Sequence, residues 1–171
     1  KALIDREIEW AQKGVPSKLI FKVNSLIDAP FIRQLYQASQ AGIKIDLIIR
    51  GICGLRPGIP NLSDNIKVTS IVGRFLEHSR IYYFHNGGTP EIYLGSADIM
   101  PRNLDNRVET LFPIEDPNLK QELIEIMEIM LADNVQARLL RPDGTYTRLT
   151  PAAHEQPHNS QLEFMAKAYG G

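Results

Sequence analysis

His78-Ser79-Arg80 opens one apolar run of this chain, Gly95-Ser96-Ala97-Asp98 closes the next, and Arg102 and Asn103 follow closely. An imidazole can attack phosphorus or protonate an oxygen leaving it. A cation can neutralise the non-bridging oxygens, while a hydroxyl and a carboxyl or amide orient the ring. Arg50 is a second candidate, standing directly after the apolar run 43–49, and Asn24 holds the same place after the run 18–23. Between positions 50 and 80, Arg50, Arg56, Lys67, Arg74 and Arg80 face only Asp64 and Glu77, a local charge of +3 in a chain of net charge -1. A phosphate chain suits that stretch. The plainer readings are a solvated arginine at a strand end and a histidine that serves only its own surroundings.

Other patterns carry less. His154-Glu155-Gln156-Pro157-His158 meets the H-E-x-x-H pattern of helical zinc sites. Pro157 would break the helix that brings the two imidazoles together, and Pro151 and Ser160 mark irregular chain, so a polar surface loop is expected. Cys53 is the single cysteine of the 171 residues, which excludes an internal disulfide and a cysteine-based zinc site. It reads as a small packed residue rather than a reactive thiol. Neither a Walker-type loop nor G-x-G-x-x-G occurs. The balance of 19 basic and 20 acidic residues removes the global argument for binding nucleic acid or anionic membrane, so any polyanion site is local. No apolar stretch approaches the roughly 20 residues of a membrane-spanning helix. The cytoplasm is expected, with membrane association left to other parts of a longer polypeptide.

These residues need a scaffold that brings strand ends together. Helical spacing of Leu3, Ile4, Ile8 and Ala11 predicts a helix over 2–13, and 18–24 reads as a strand. Asp28 can cap a helix carrying Phe31, Ile32, Leu35, Tyr36 and Ala38 that closes at Gly42, before a second strand over 43–49. Strand, helix and strand make a βαβ unit with parallel strands. The Gly- and Pro-bearing segment 50–65 is then a loop at a carboxyl strand end, where ligands commonly sit. Further strands are expected at 67–72, 80–85, 91–94 and 107–113, with a hairpin through Asn86-Gly87-Gly88. Asp116-Pro117 starts a helix whose apolar face is Leu119, Leu123, Ile126, Met127 and Met130, and a hairpin over 135–149 follows. The remainder, 150–171, reads as a polar tail with a short terminal helix.

The histidine, the basic residue two later and the Gly-Ser-x-Asp after a hairpin resemble the H-x-K and G-S-x-N signature of the phospholipase D superfamily. Arg80 replaces the lysine, His85 stands where an aspartate is usual, and one copy occurs where two facing histidines are usual. Longer stretches are similar to the last domain of the long-chain polyphosphate kinases: Lys22-Val-Asn-Ser-Leu, Ile49-Arg-Gly-Ile-Cys-Gly-Leu-Arg-Pro-Gly-Ile, Ser70-Ile-Val-Gly-Arg-Phe-Leu-Glu-His-Ser-Arg-Ile and Tyr93-Leu-Gly-Ser-Ala-Asp-Ile-Met-Pro-Arg-Asn-Leu-Asp. That resemblance implies an α/β fold, a phospholipase D-like α/β/α sandwich with a mixed, largely parallel sheet over 1–149. It implies reversible transfer of the terminal phosphate of ATP to polyphosphate, with ATP, ADP and Mg2+ used by the full enzyme and no metal ligand in this portion. The phosphorylated histidine and the magnesium-associated arginines are expected upstream.

By the same resemblance Arg50 matches an arginine that contacts phosphates. His78 matches a second active-site histidine, a general acid or a stabiliser of the phosphoryl group in flight. Asn24, Arg80, Ser96, Asp98 and Asn103 are carried over as supporting residues. Upstream domains of the same polypeptide, polyphosphate and ATP or ADP are the expected partners, with a homo-oligomer as a further expectation and no specific nucleic acid. The fragment alone is expected to be inactive. Two rivals stay open at this point: a phosphodiesterase or nuclease half-site acting as a dimer, and a non-catalytic module that binds a polyanion or assembles subunits.

Overall fold

The computed structural model describes residues 1–101 and 109–170. Its core is the βαβ unit of β1 (Lys18–Val23), α2 (Ala29–Gln40) and β2 (Lys44–Ile49), preceded by α1 (Ala2–Gln12). The side chain of Asp28 accepts from the Phe31 amide at 2.8 Å, which fixes the start of α2. Gly42, at φ +89°, turns the chain out of it into β2. β3 (Ile66–Ile71), β4 (Arg80–Phe84), β5 (Glu91–Gly95) and β6 (Leu111–Ile114) follow, then α3 (Pro117–Ala132), β7 (Ala137–Leu140), β8 (Tyr146–Arg148) and α4 (Ser160–Tyr169).

The eight strands form one sheet in the order β6-β5-β4-β1-β2-β3-β7-β8. It is mixed, but the expectation of a largely parallel sheet is corrected. Only β1 with β2 and β2 with β3 pair in parallel, and the other five pairings are antiparallel. A parallel pair needs a long crossover, whereas β4 to β5 turns back through the short Asn86–Gly88 turn and β7 to β8 through Pro142-Asp143-Gly144. Both flanks end in weak strands: Pro113 sits in β6, and β8 has three exposed residues.

Alternation along the central strands divides the core into two layers. Leu19, Phe21 and Val23 of β1 join Ile45, Leu47 and Ile49 of β2 under α1 and α2, with Ile4, Leu35 and Ala38 packed on them. Ile20, Ile81, Tyr83 and Ile92 meet Met127 of α3 on the opposite face, and Ile48, Ile71 and Ala137 meet Met130 and Phe164 there. The segment read as a polar tail therefore reaches the core. Ser160 and Gln161 are buried, and α4 lies against α3.

The even-numbered positions of β1 continue to Lys22 and then Asn24, and those of β2 to Arg50. All three belong to the α3 face, at the carboxyl edge of the parallel strands.

Candidate active site at the carboxyl edge

Arg50 leaves β2 and turns back on Asn24, its Nε and Nη2 donating to Asn24 Oδ1 at 3.2 and 3.0 Å. The turn is tight. The Gly51 amide donates to the Asn24 carbonyl at 2.7 Å, and a Cβ at Gly51 would lie 2.7 Å from that same oxygen. The backbone amide of Asn24 donates in turn to Asp98 Oδ1 at 2.8 Å, and that of Ser25 does so at 3.3 Å. Asp98 is 8% exposed. It receives Arg80 through Nε at 3.3 Å and Nη2 at 3.1 Å. Arg80 completes the chain by donating from Nη1 to the His78 carbonyl at 3.0 Å and meeting His78 Nδ1 at 3.2 Å.

Arg50, Asn24, Asp98, Arg80 and His78 are thus one continuous hydrogen-bonded series. An arginine only donates, so His78 Nδ1 accepts, and in the neutral ring the proton sits on Nε2. Burial opposes ionisation of Asp98, but the bonds from Arg80 and the Asn24 amide outweigh it and hold the carboxyl below the ordinary aspartate range. Arg80 is therefore committed to Asp98 and His78. Arg50 Nη1 has no hydrogen-bond partner among the described residues.

Ser96 stands apart from this series. Its hydroxyl donates to Glu109 Oε2 and accepts from the Thr110 amide at 3.1 Å, so it ties the end of β5 to the approach to β6. Asn103 lies outside the described residues. His85, the departure from the usual signature, is at the other end of β4, where its amide bonds the Lys18 carbonyl and its ring meets the Tyr83 hydroxyl at 3.1 Å. Segment 154–158 is turn and irregular chain, with His158 Nδ1 3.1 Å from Glu163 Oε1.

Lys22 is a member of the site that sequence reasoning passed over. It is 3% exposed, and its Nζ donates to the carbonyl and hydroxyl of Ser79 at 3.0 and 2.9 Å and lies 3.8 Å from Glu77 Oε2. Burial lowers its pKa, the Glu77 carboxylate opposes that shift, and the charges of Arg50 and Arg80 add to it. A signal was present. A lysine inside the run Lys-Leu-Ile-Phe-Lys-Val of a central strand is covered on both faces and requires partners.

This architecture defines a phospholipase D-like fold. It superposes on the phospholipase D family member Nuc from Salmonella typhimurium with a TM-score of 0.56 and 13% identity, over 78% of this chain and 88% of that one. The match to the crystal structure of polyphosphate kinase from Porphyromonas gingivalis is far closer, with a TM-score of 0.95 and 45% identity over 99% of this chain and 26% of that one. Polyphosphate kinase from Synechocystis is 58% identical over 167 residues, 98% of this chain and 23% of the relative. The family model for polyphosphate kinase C-terminal domain 2 matches residues 1–161. The chain belongs to that family, and it spans about a quarter of the length of the relatives it matches.

Proposed function

We propose that this chain forms one wall of a phosphoryl-transfer site, which in the full polypeptide moves the terminal phosphate of ATP onto polyphosphate and back. The observation that supports the reading most is the continuous series from Arg50 to His78, which holds a cation and an imidazole in fixed relation at the carboxyl strand edge. Arg50, clamped through Nε and Nη2, offers Nη1 to phosphate oxygens. His78, accepting at Nδ1, keeps its N–H on Nε2, where it can donate a hydrogen bond to an oxygen of the phosphoryl group in flight as negative charge builds there. Phosphoryl transfer depends on positioning and charge neutralisation, and the series supplies both. The fold and family match support this reading over a diester-cutting half-site.

Magnesium, which the family implies, does not fit the carboxylates of this edge. Asp98 is taken by Arg80, and Glu77 by Lys22 and Gln161. No group of three His, Cys, Asp or Glu side chains gathers among the described residues. Among the described residues no helix is long and apolar enough to cross a membrane.

The test is turnover of ATP with polyphosphate by the full-length enzyme. His78→Ala should lower kcat by about 10²–10³-fold, the range for one lost donor to developing charge. Arg50→Ala should lower kcat/KM by roughly 10–100-fold, since a charge-assisted contact contributes about 1.5–3 kcal/mol. Unchanged turnover in either variant would remove that residue's role.

A further inference from the structure

The connection that carries His78, residues 72–79 between β3 and β4, has no backbone–backbone hydrogen bond of its own among the described residues. Three side chains from elsewhere hold it. Lys22 grips Ser79, and Arg80 grips the His78 carbonyl. The third is Gln161, from the first turn of α4, 4% exposed. Its Oε1 accepts from the Phe75 amide at 3.0 Å, while its Nε2 donates to the Phe75 carbonyl at 2.9 Å and to Glu77 Oε1 at 3.2 Å. The carboxamide pairs with Phe75 as a neighbouring strand would, and it binds the residue next to His78.

Gln161 is itself anchored. Asp133, 1% exposed, accepts at Oδ2 from the amide and hydroxyl of Ser160, both at 2.8 Å, and at Oδ1 from the amides of Val135, Gln136 and Ala137. Asn159 caps α4 by accepting from the Leu162 amide at 3.2 Å. The loop in turn makes room for the carboxamide, because a Cβ at Gly73 would lie 2.4 Å from Gln161 Oε1. A buried amide 83 positions beyond His78 thus fixes the peptide units from which the imidazole projects, and the imidazole itself stays exposed.

We propose that Gln161 is a positioning residue for His78, and that the carboxyl-terminal segment acts as a strap holding the histidine loop in its working geometry. The inference rests on the role given to His78 above. Gln161 bonds Phe75 and Glu77, on the His78 side of the series, and makes no bond to Arg50 or Asn24, so the strap should govern the chemical step and leave phosphate binding alone.

The experiment is a mutant cycle in the full-length enzyme, with kcat and the KM for ATP read separately. Gln161→Met keeps the side-chain length and removes the hydrogen bonds. It should lower kcat about tenfold, in line with the cost of slight misplacement, with KM changing by less than about twofold. In a His78→Ala background the same change should cost nothing further. Gly73→Ala, whose added methyl pushes the carboxamide away, should give a smaller loss of kcat of the same type, and it carries the test if Gln161→Met does not fold. The strap is overturned if Gln161→Met multiplies the loss of His78→Ala, raises KM with kcat intact, or leaves kcat unchanged while His78→Ala does not. If His78→Ala itself turns over normally, the role of His78 falls first, and the strap with it.

Discussion

The two edges of the parallel strands carry similar charges and use them in opposite ways. At the amino edge, Lys18, Lys44 and Lys67 share a hollow of about 630 Å³ with Asp46, Asp64 and Glu128. The ion pair of Lys18 with Asp46, the one found there among the described residues, is loose at 3.5 Å, and Lys18 is a third exposed. At the carboxyl edge the hollow beside Lys22, Arg50 and Glu77 is far smaller. There Lys22, Glu77, Arg80 and Asp98 are each tied to neighbours, while Arg50 Nη1 and the Nε2 side of the His78 ring are left facing outward among the described residues. Size of hollow and count of lysines favour the amino edge, opposite the proposed site. What marks the carboxyl edge is cations fixed by buried partners, the preorganisation that transfer chemistry needs.

That contrast can be broken most sharply at Asp98. Asp98→Ala strands Arg80 in a mostly buried position and should cost the domain about 3 kcal/mol, read as lost amide-exchange protection in β1 and β4 of the full-length protein. The sign with pH follows from the depressed carboxyl. Its stabilisation is complete above the ordinary aspartate range and is lost as pH falls through the lowered value, so Asp98→Asn should flatten that part of the acid limb. Equal acid sensitivity in the variant would show that Arg80 draws its hold from elsewhere.

Asn24→Ala keeps the backbone bond to Asp98 and removes only the clamp on Arg50. The KM for ATP should rise about fivefold, in line with roughly 1 kcal/mol for one hydrogen-bonded contact. An unchanged KM would mean that Arg50 needs no clamp. Smallest of all should be Lys44→Met with Lys67→Met at the amino edge, where turnover should stay within about twofold, because solvated charges contribute little. A loss there comparable with that of Arg50→Ala would erase the distinction between the edges.

Local features were readable from the chain because their causes are local. Asp28 and Asp116 cap the helices they were expected to cap, and each accepts from amides two or three residues ahead. Asn24 and Arg50 could be placed at one edge because both follow apolar runs of a βαβ unit. Lys22, Glu77 and Gln161 could not be grouped, since their partners lie 55 to 86 positions apart and spacing says nothing about such contacts. Glu7 escaped for a related reason. It falls on the inward face of α1 beside Ile4 and Ile8, fully buried, because the Asn86 amide donates to it at 2.6 Å from the β4–β5 turn. The antiparallel flanks were underestimated because a hairpin pairing and a crossover pairing draw on the same apolar strand sequences.

The flanks of the sheet have a consequence of their own. Open sheets invite added strands, and β6 and β8 are poor templates for them: a proline in β6 lacks a donor, and β8 is three residues long. Chains crowded together during synthesis would find little at either margin on which to polymerise, which guards against fibrous aggregation.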